Sequence, residues 1–240
     1  MTKSGRAGAP RRRSRPRNTR NRPTDDQLLD AARAVISEFG VERSTMDMIA
    51  ERGGTTRVTL YAHFGSRDAL VDRLIERELG NFTDWMSAAY AESDDWSYGA
   101  RARHSVEATF EFARSNPEGL RLLLGHRQEA EDPGRRLYKT LEPRVAARLR
   151  QNYAARGAEI DASADTLASL LIGISLDVAY RALIVDRADI DIACEIAVTA
   201  TLAVLREVSP EQLLALDASL ADRDGHPGSA ATSSSIHMEN

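Results

Sequence analysis

The sequence predicts an all-α chain, with an N-terminal helix-turn-helix head followed by a larger C-terminal helical domain. Three observations predict it. Apolar residues recur at three- and four-residue intervals along most of the 240 residues. No segment shows the period-two alternation of a strand, and no internal repeat appears. Thr, Ser, Gly and Pro stand where the helical periodicity starts and stops.

Residues 1–21 are rich in Arg, Pro, Gly and Ser and too poor in apolar side chains to bury a core, so a disordered basic arm is expected. Nine Lys or Arg and no acid fall within residues 1–22, which leaves the rest of the chain at −13 against a whole-chain net of −4. An acidic body repels DNA on average. Contact with nucleic acid therefore has to come from a local basic face and the arm.

A first helix is expected after Thr24, which has capping-box spacing to Gln27. Leu28, Ala32, Val35, Ile36 and Phe39 make one apolar face, and Gly40 ends it. Thr45–Phe64 then reads as two short helices around Gly53-Gly54. Thr45 and Thr56 stand at N-cap positions. Ala50 is small where the helices approach, Gly54 tolerates positive φ, and Leu60 pins the second helix to the core. This is the spacing of a helix-turn-helix that reads DNA, although an ordinary glycine-capped corner shares part of it.

Ser66 caps a long helix with Leu70, Leu74, Leu79 and Phe82 on its apolar side, running past Trp85 toward Tyr90. Residues 91–98 are acidic and turn-like. Helices are expected over 99–115 and 117–124, a loop over 129–134, and a charged helix over 135–156 kinked at Pro143. Two helices, about 164–185 and 190–208, are apolar nearly all round and must be covered on more than one side. They suggest a four-helix dimer interface, two from each subunit. A short helix over 211–220 and a disordered tail over 222–240 complete the chain. In domain terms the reading is a DNA-binding domain over 22–82 and a helical effector-binding and dimerisation domain over 83–221.

Several function classes find no support. The single cysteine, Cys194, excludes an intramolecular disulfide framework. No apolar run of membrane-span length stands out. The five histidines, at 63, 104, 126, 226 and 237, lack metal-ligand spacing, and no nucleophile, phosphate-loop or dinucleotide motif appears. A cytoplasmic non-enzyme without cofactor, metal or catalytic residues is expected.

The segment 40–70, GVERSTMDMIAERGGTTRVTLYAHFGSRDAL, strongly resembles the N-terminal signature of TetR-family transcriptional regulators, with the likeness covering about 22–82. The resemblance implies that Thr45, Thr56, Thr59, Tyr61 and His63 face the DNA backbone, where hydroxyl and imidazole donors suit phosphate oxygens. It places Arg67 at a phosphate site at the start of the fourth helix. Arg57, Val58 and Ala62 are the candidates for base edges. Val58 departs from the small residue often found there.

The resemblance also implies a small-molecule effector held in the second domain. Trp85, Phe110, Tyr138 and Tyr180 are candidate pocket residues. Asp177, in register with Leu170 and Ile174, reads as a buried carboxylate that either pairs with Arg181 or orients a ligand. The expected protein is a ligand-responsive repressor, homodimeric on an inverted repeat of double-stranded DNA. The competing reading is an architectural DNA-binding protein that uses the basic arm without an effector.

Overall fold

One 26-residue helix, α4 (Arg67–Glu92), joins the two halves of the molecule. At 1.5 Å rise per residue it is roughly 39 Å long. The computed structural model describes residues 23–125 and 133–224, so the basic arm and most of the C-terminal tail lie outside the described residues.

The head packs α1 (Asp25–Phe39), α2 (Met46–Arg52) and α3 (Arg57–Phe64) against the first turns of α4. Each start is capped as its sequence dictates. Thr24 and Gln27 form a reciprocal capping box, while Thr45, Thr56 and Ser66 accept the N–H groups of Met48, Thr59 and Ala69. Such caps contribute about 1 kcal/mol each. Gly54 and Gly65 adopt φ of 59° and 76°, a region costly for residues with a Cβ. Leu28, Ile49, Leu60, Leu70 and Leu74 are fully buried and tie the four helices together.

The body comprises α5 (Tyr98–Ser115), α6 (Pro117–Leu124), α7 (Pro133–Ala154), α8 (Ser163–Tyr180), α9 (Ile190–Glu207) and α10 (Pro210–Asp224). α8 packs most extensively against α7 and α9, and α9 against α5. The apolar core of the head continues without a break into the body through Phe82, which meets Phe112 edge-on at 4.8 Å. A second core around Leu149, Tyr153, Leu167 and Leu205 fills the far end. The 82/83 boundary therefore divides roles rather than packing.

Three expectations about elements are corrected. α7 begins at Pro133, inside the expected loop, because proline suits a first helical position. The helix expected to run to residue 185 is α-helical only to Tyr180, and Arg181–Asp186 form a π-helical turn closed by Arg187 at φ 52°. α10 extends to Asp224, past the expected start of the tail. In addition, Ser163–Asp186 has a mean hydropathy of 1.7 over a membrane-length window, contrary to the expectation that no such run exists. Its Leu167, Leu171, Ile172 and Leu176 are nevertheless buried against neighbouring helices.

Candidate nucleic-acid interface and effector cavity

α3 buries a single residue, Leu60, and leaves the rest of its surface largely to solvent. Val58 is 78% exposed and stands among the exposed Arg57, Tyr61 and Ala62. An apolar side chain so exposed at the start of a capped helix is free to meet a thymine methyl. Thr45 and Thr56 accept backbone N–H groups with one lone pair each, so each hydroxyl keeps a proton to donate to a phosphate. Thr56 Oγ1 also lies 2.9 Å from Thr59 Oγ1.

Arg57 is pre-positioned by its neighbours. Its guanidinium donates to Tyr61 Oη at 3.3 Å, lies 5.3 Å from the Tyr61 ring, and reaches Asp47 at 3.4 Å. The Tyr61 bond, then Tyr61 and Asp47 electrostatics, raise its pKa, so it is cationic under all ordinary conditions. Its contacts lie in solvent and exchange easily for a guanine edge. His63 Nδ1 lies 2.5 Å from Asp25 Oδ1, which ties α3 to the start of α1 and leaves Nε2 for a phosphate oxygen.

Arg67 stands at the start of α4, where its place in the motif put it, and in the structure its guanidinium is engaged within the protein. Its guanidinium donates to the carbonyls of Val41 and Ser44 and to Asp68. These bonds hold the α1–α2 connection against α4, so Arg67 acts as a clamp that orients the helix-turn-helix.

The head meets the body at a buried carboxylate. Glu78 of α4 is fully buried, 2.9 Å from Asn116 Nδ2, 3.1 Å from Arg77 and 3.6 Å from Arg33 of α1. Arg33 also reaches Asn116 Oδ1 at 3.3 Å and Glu118 at 3.4 Å. Removing one partner from such a cluster leaves an uncompensated buried charge. A Cβ on Gly119 would lie 2.3 Å from Asn116 Nδ2 and 2.7 Å from Glu78 Oε2, so a larger residue here has to displace the ends of those two side chains. A signal for Glu78 was present in the sequence, since it shares the four-residue register of Leu74 and Phe82, both core residues.

Behind this junction lies an apolar cavity of about 100 Å³ between α4, α5, α7, α8 and α9. Phe82, Met86, Val106, Leu141, Ile172 and Leu176 line its inner part, and Tyr98, Arg101, Arg148 and Leu149 are also on its wall. Burial pushes the Tyr98 phenol up to about 12, with Tyr153 adding to the effect and Arg101 and Arg156 opposing it. Burial also raises Tyr90, against Arg148 and Arg144, whose guanidinium carbons lie 4.7 and 4.8 Å from its ring centroid. Both phenols remain neutral donors at physiological pH.

None of the six expected pocket residues lines this cavity. Trp85 is half-buried and donates Nε1–H to the Ala108 carbonyl at 2.8 Å. Phe110 is 1% exposed in the core. Tyr138 packs against the core near Gly173, and Tyr180 lines an open cleft beside α1 and α6. Arg181 bonds Asp186 at 2.7 Å. Asp177 is only partly buried, like Ile174 of the same register, while Leu170 is 49% exposed. A helix apolar all round does not reveal from sequence which side meets a cavity.

A second exposed feature is apolar. Ile192 and Ile196 of α9 are 61% and 60% exposed and line an open surface with Thr199, Ala200 and Ala203. Among the described residues no metal-binding cluster occurs.

Residues 28–74 match the family described as "Bacterial regulatory proteins, tetR family". Over 145 residues the chain is 33% identical to the HTH-type transcriptional activator FasR of Mycolicibacterium smegmatis, covering 60% of this chain and 58% of FasR. That alignment is longer than the whole head. Over 69 residues it is 35% identical to the HTH-type transcriptional repressor KstR2 of Mycobacterium tuberculosis, covering 29% of this chain and 32% of KstR2. The chain spans about half the length of the curated relatives it matches. In fold, it is similar to the transcriptional regulator FadR of Bacillus subtilis in complex with stearoyl-CoA, with a TM-score of 0.64 at 14% identity, covering 78% of this chain and 100% of that one.

Proposed function

We propose that this chain, a member of the TetR family of bacterial regulatory proteins, is a sequence-specific DNA-binding transcriptional regulator. It acts as a homodimer on an inverted repeat, and as a repressor released by a small molecule. The observation that carries the reading is α3, a capped helix anchored by the buried Leu60 and the partly buried Phe64, with Arg57, Val58, Tyr61 and Ala62 open to a major groove. Repression is the simpler output, since occupancy of an operator suffices for it.

The exposed Ile192 and Ile196, with the small residues beside them, suit a second copy of the same helix, and α8 lies alongside. Two heads would then address half-sites about 34–36 Å apart. Ligand response follows from α4, which carries Leu70 and Leu74 into the head core and Phe82 and Met86 to the cavity wall. A ligand that parts that wall shifts α4 and, through Glu78, Arg33 and Asn116, the head itself. By name FasR is an activator and KstR2 a repressor, so the sign of the output is part of the test. The chain works in the cytoplasm, where its DNA is.

Fluorescence anisotropy against an inverted repeat from upstream of its own gene and against random duplex, across a salt series, tests this. A regulator keeps its preference for the repeat after residues 1–22 are removed and binds as two protomers, with transcription rising when the operator is deleted. Equal affinity for both duplexes, lost with the arm, identifies an architectural protein instead. Each arm–phosphate contact steepens the log–log salt slope by roughly 0.9.

A further inference from the structure

Two polar groups on the cavity wall stand apart from the rest. Ser105, Thr109 and Ser175 each return their hydroxyl to the carbonyl four residues earlier on their own helix. Thr201 of α9 does not. It is 4% exposed, it lines the cavity, and among the described residues its hydroxyl has no hydrogen-bond partner. A buried hydroxyl left unbonded is destabilising, and a ligand atom within reach would satisfy it.

The second group is Arg101. It is partly buried on the wall, its hydrogen bond runs at 3.3 Å to the Asp94 carbonyl, and its guanidinium carbon lies 6.0 Å from the Tyr98 ring centroid, so it has neutral partners and no carboxylate among the described residues. The Asp94 carboxylate is engaged by Arg148 at 2.7 Å. Among the described residues Arg101 forms no salt bridge, whereas Arg103, Arg114, Arg148 and Arg150 of the same domain each do. An unneutralised guanidinium on the wall of an apolar cavity is matched by an anion.

We infer that the cavity binds a compact organic monocarboxylate, its carboxylate on Arg101, a hydrogen-bonding group within reach of Thr201, and its apolar body toward Phe82 and Leu176. The inference rests on reading this domain as effector-binding. The space decides the size. A cavity of about 150 Å³ holds a benzene ring, and this one is about 100 Å³. The buried body is therefore a short chain, or a single ring that displaces the wall slightly, whereas a long acyl chain requires the helices to part.

Calorimetry of the full-length protein with benzoate, benzyl alcohol and benzylamine reads the charge preference directly. Benzoate is expected to bind at least tenfold more tightly than the other two. Arg101→Met, which keeps an apolar stem, should abolish that preference, Arg101→Lys should restore part of it, and Thr201→Val should weaken benzoate several-fold. Equal binding of the three compounds by the wild type, or a preference that survives in Arg101→Met with a melting temperature near wild type, overturns the assignment. Binding to the operator repeat is measured in parallel. If benzoate binds as expected without releasing DNA, the ligand class stands and the ligand-responsive reading fails. If none of the three binds while operator affinity is intact, the ligand class fails and the DNA-binding reading stands.

Discussion

Two helices of this molecule leave unusual surfaces to solvent, and they do so with opposite chemistry. α3 exposes hydroxyls, a guanidinium and an imidazole around one valine. α9 exposes two isoleucines among small residues. The polar surface is suited to a partner rich in acceptors and charge. The apolar surface gains only when water is removed from it, as another apolar face does. The contrast is the reason the two surfaces are proposed to meet different partners, DNA and a second protomer. Between them lies a junction where the buried charge of Glu78 makes relative movement of head and body costly.

The largest effect should come from the apolar surface. Ile192→Glu with Ile196→Glu is expected to leave a folded monomer by sedimentation and to lower operator affinity by about two orders of magnitude, since one head must bind without the other. A dimer that survives would remove α9 from the interface. Next is the junction. Gly119→Ala drives a Cβ into Asn116 and Glu78, and should cost about 1–3 kcal/mol in urea melts. A neutral result would show that the cluster rearranges freely and cannot transmit movement.

The polar surface should respond more selectively. Arg57→Ala is expected to relax preference at one base position by about tenfold, read by binding-site selection. Tyr61→Phe should instead weaken binding to all duplexes by a few-fold, and an effect confined to one base would reassign it as a reader. The smallest effect is expected at Asp217, where α10 docks on the start of α8. Its carboxylate accepts the N–H groups of Asp161 and Ser163 at 2.9 and 2.6 Å and the Ser163 hydroxyl at 2.9 Å. Burial opposes ionisation, but these bonds and Arg150 outweigh it and lower the pKa. A carboxylate depressed in the folded state adds stability above its unfolded pKa and loses it as pH falls through the folded value. Protection of the α10 amides against hydrogen exchange, measured relative to the intrinsic rate at each pH, should therefore fall below about pH 4. In Asp217→Asn the same protection should be lower at neutral pH and vary less with acid.

Much of the head was legible in the sequence because its determinants are local. A Thr before a helix, a Gly after one and a Leu at the contact act within a few residues of themselves, and Thr24, Thr45, Thr56 and Ser66 all cap as read. Arg67 was legible as a cation in the right place. Its engagement with the Val41 and Ser44 carbonyls depends on a loop more than twenty residues away. In the body, the helices were legible but their facing was not. Asp177, Ile174 and Leu170 share a register that any helical wheel marks as a core stripe, yet the structure buries Asp177 and Ile174 only in part and leaves Leu170 49% exposed.

The sequence by itself determined the helical class, the caps, the break at Gly53-Gly54 and the long α4, since each follows from backbone preference and apolar periodicity over short spans. Only the tertiary structure decided which apolar faces were buried. It also enclosed Glu78 between two arginines and an asparagine and, among the described residues, left the Thr201 hydroxyl unbonded and Arg101 without a carboxylate on one cavity wall. Those outcomes depend on how helices distant in sequence cross one another, and on which side chains have no room left to be paired.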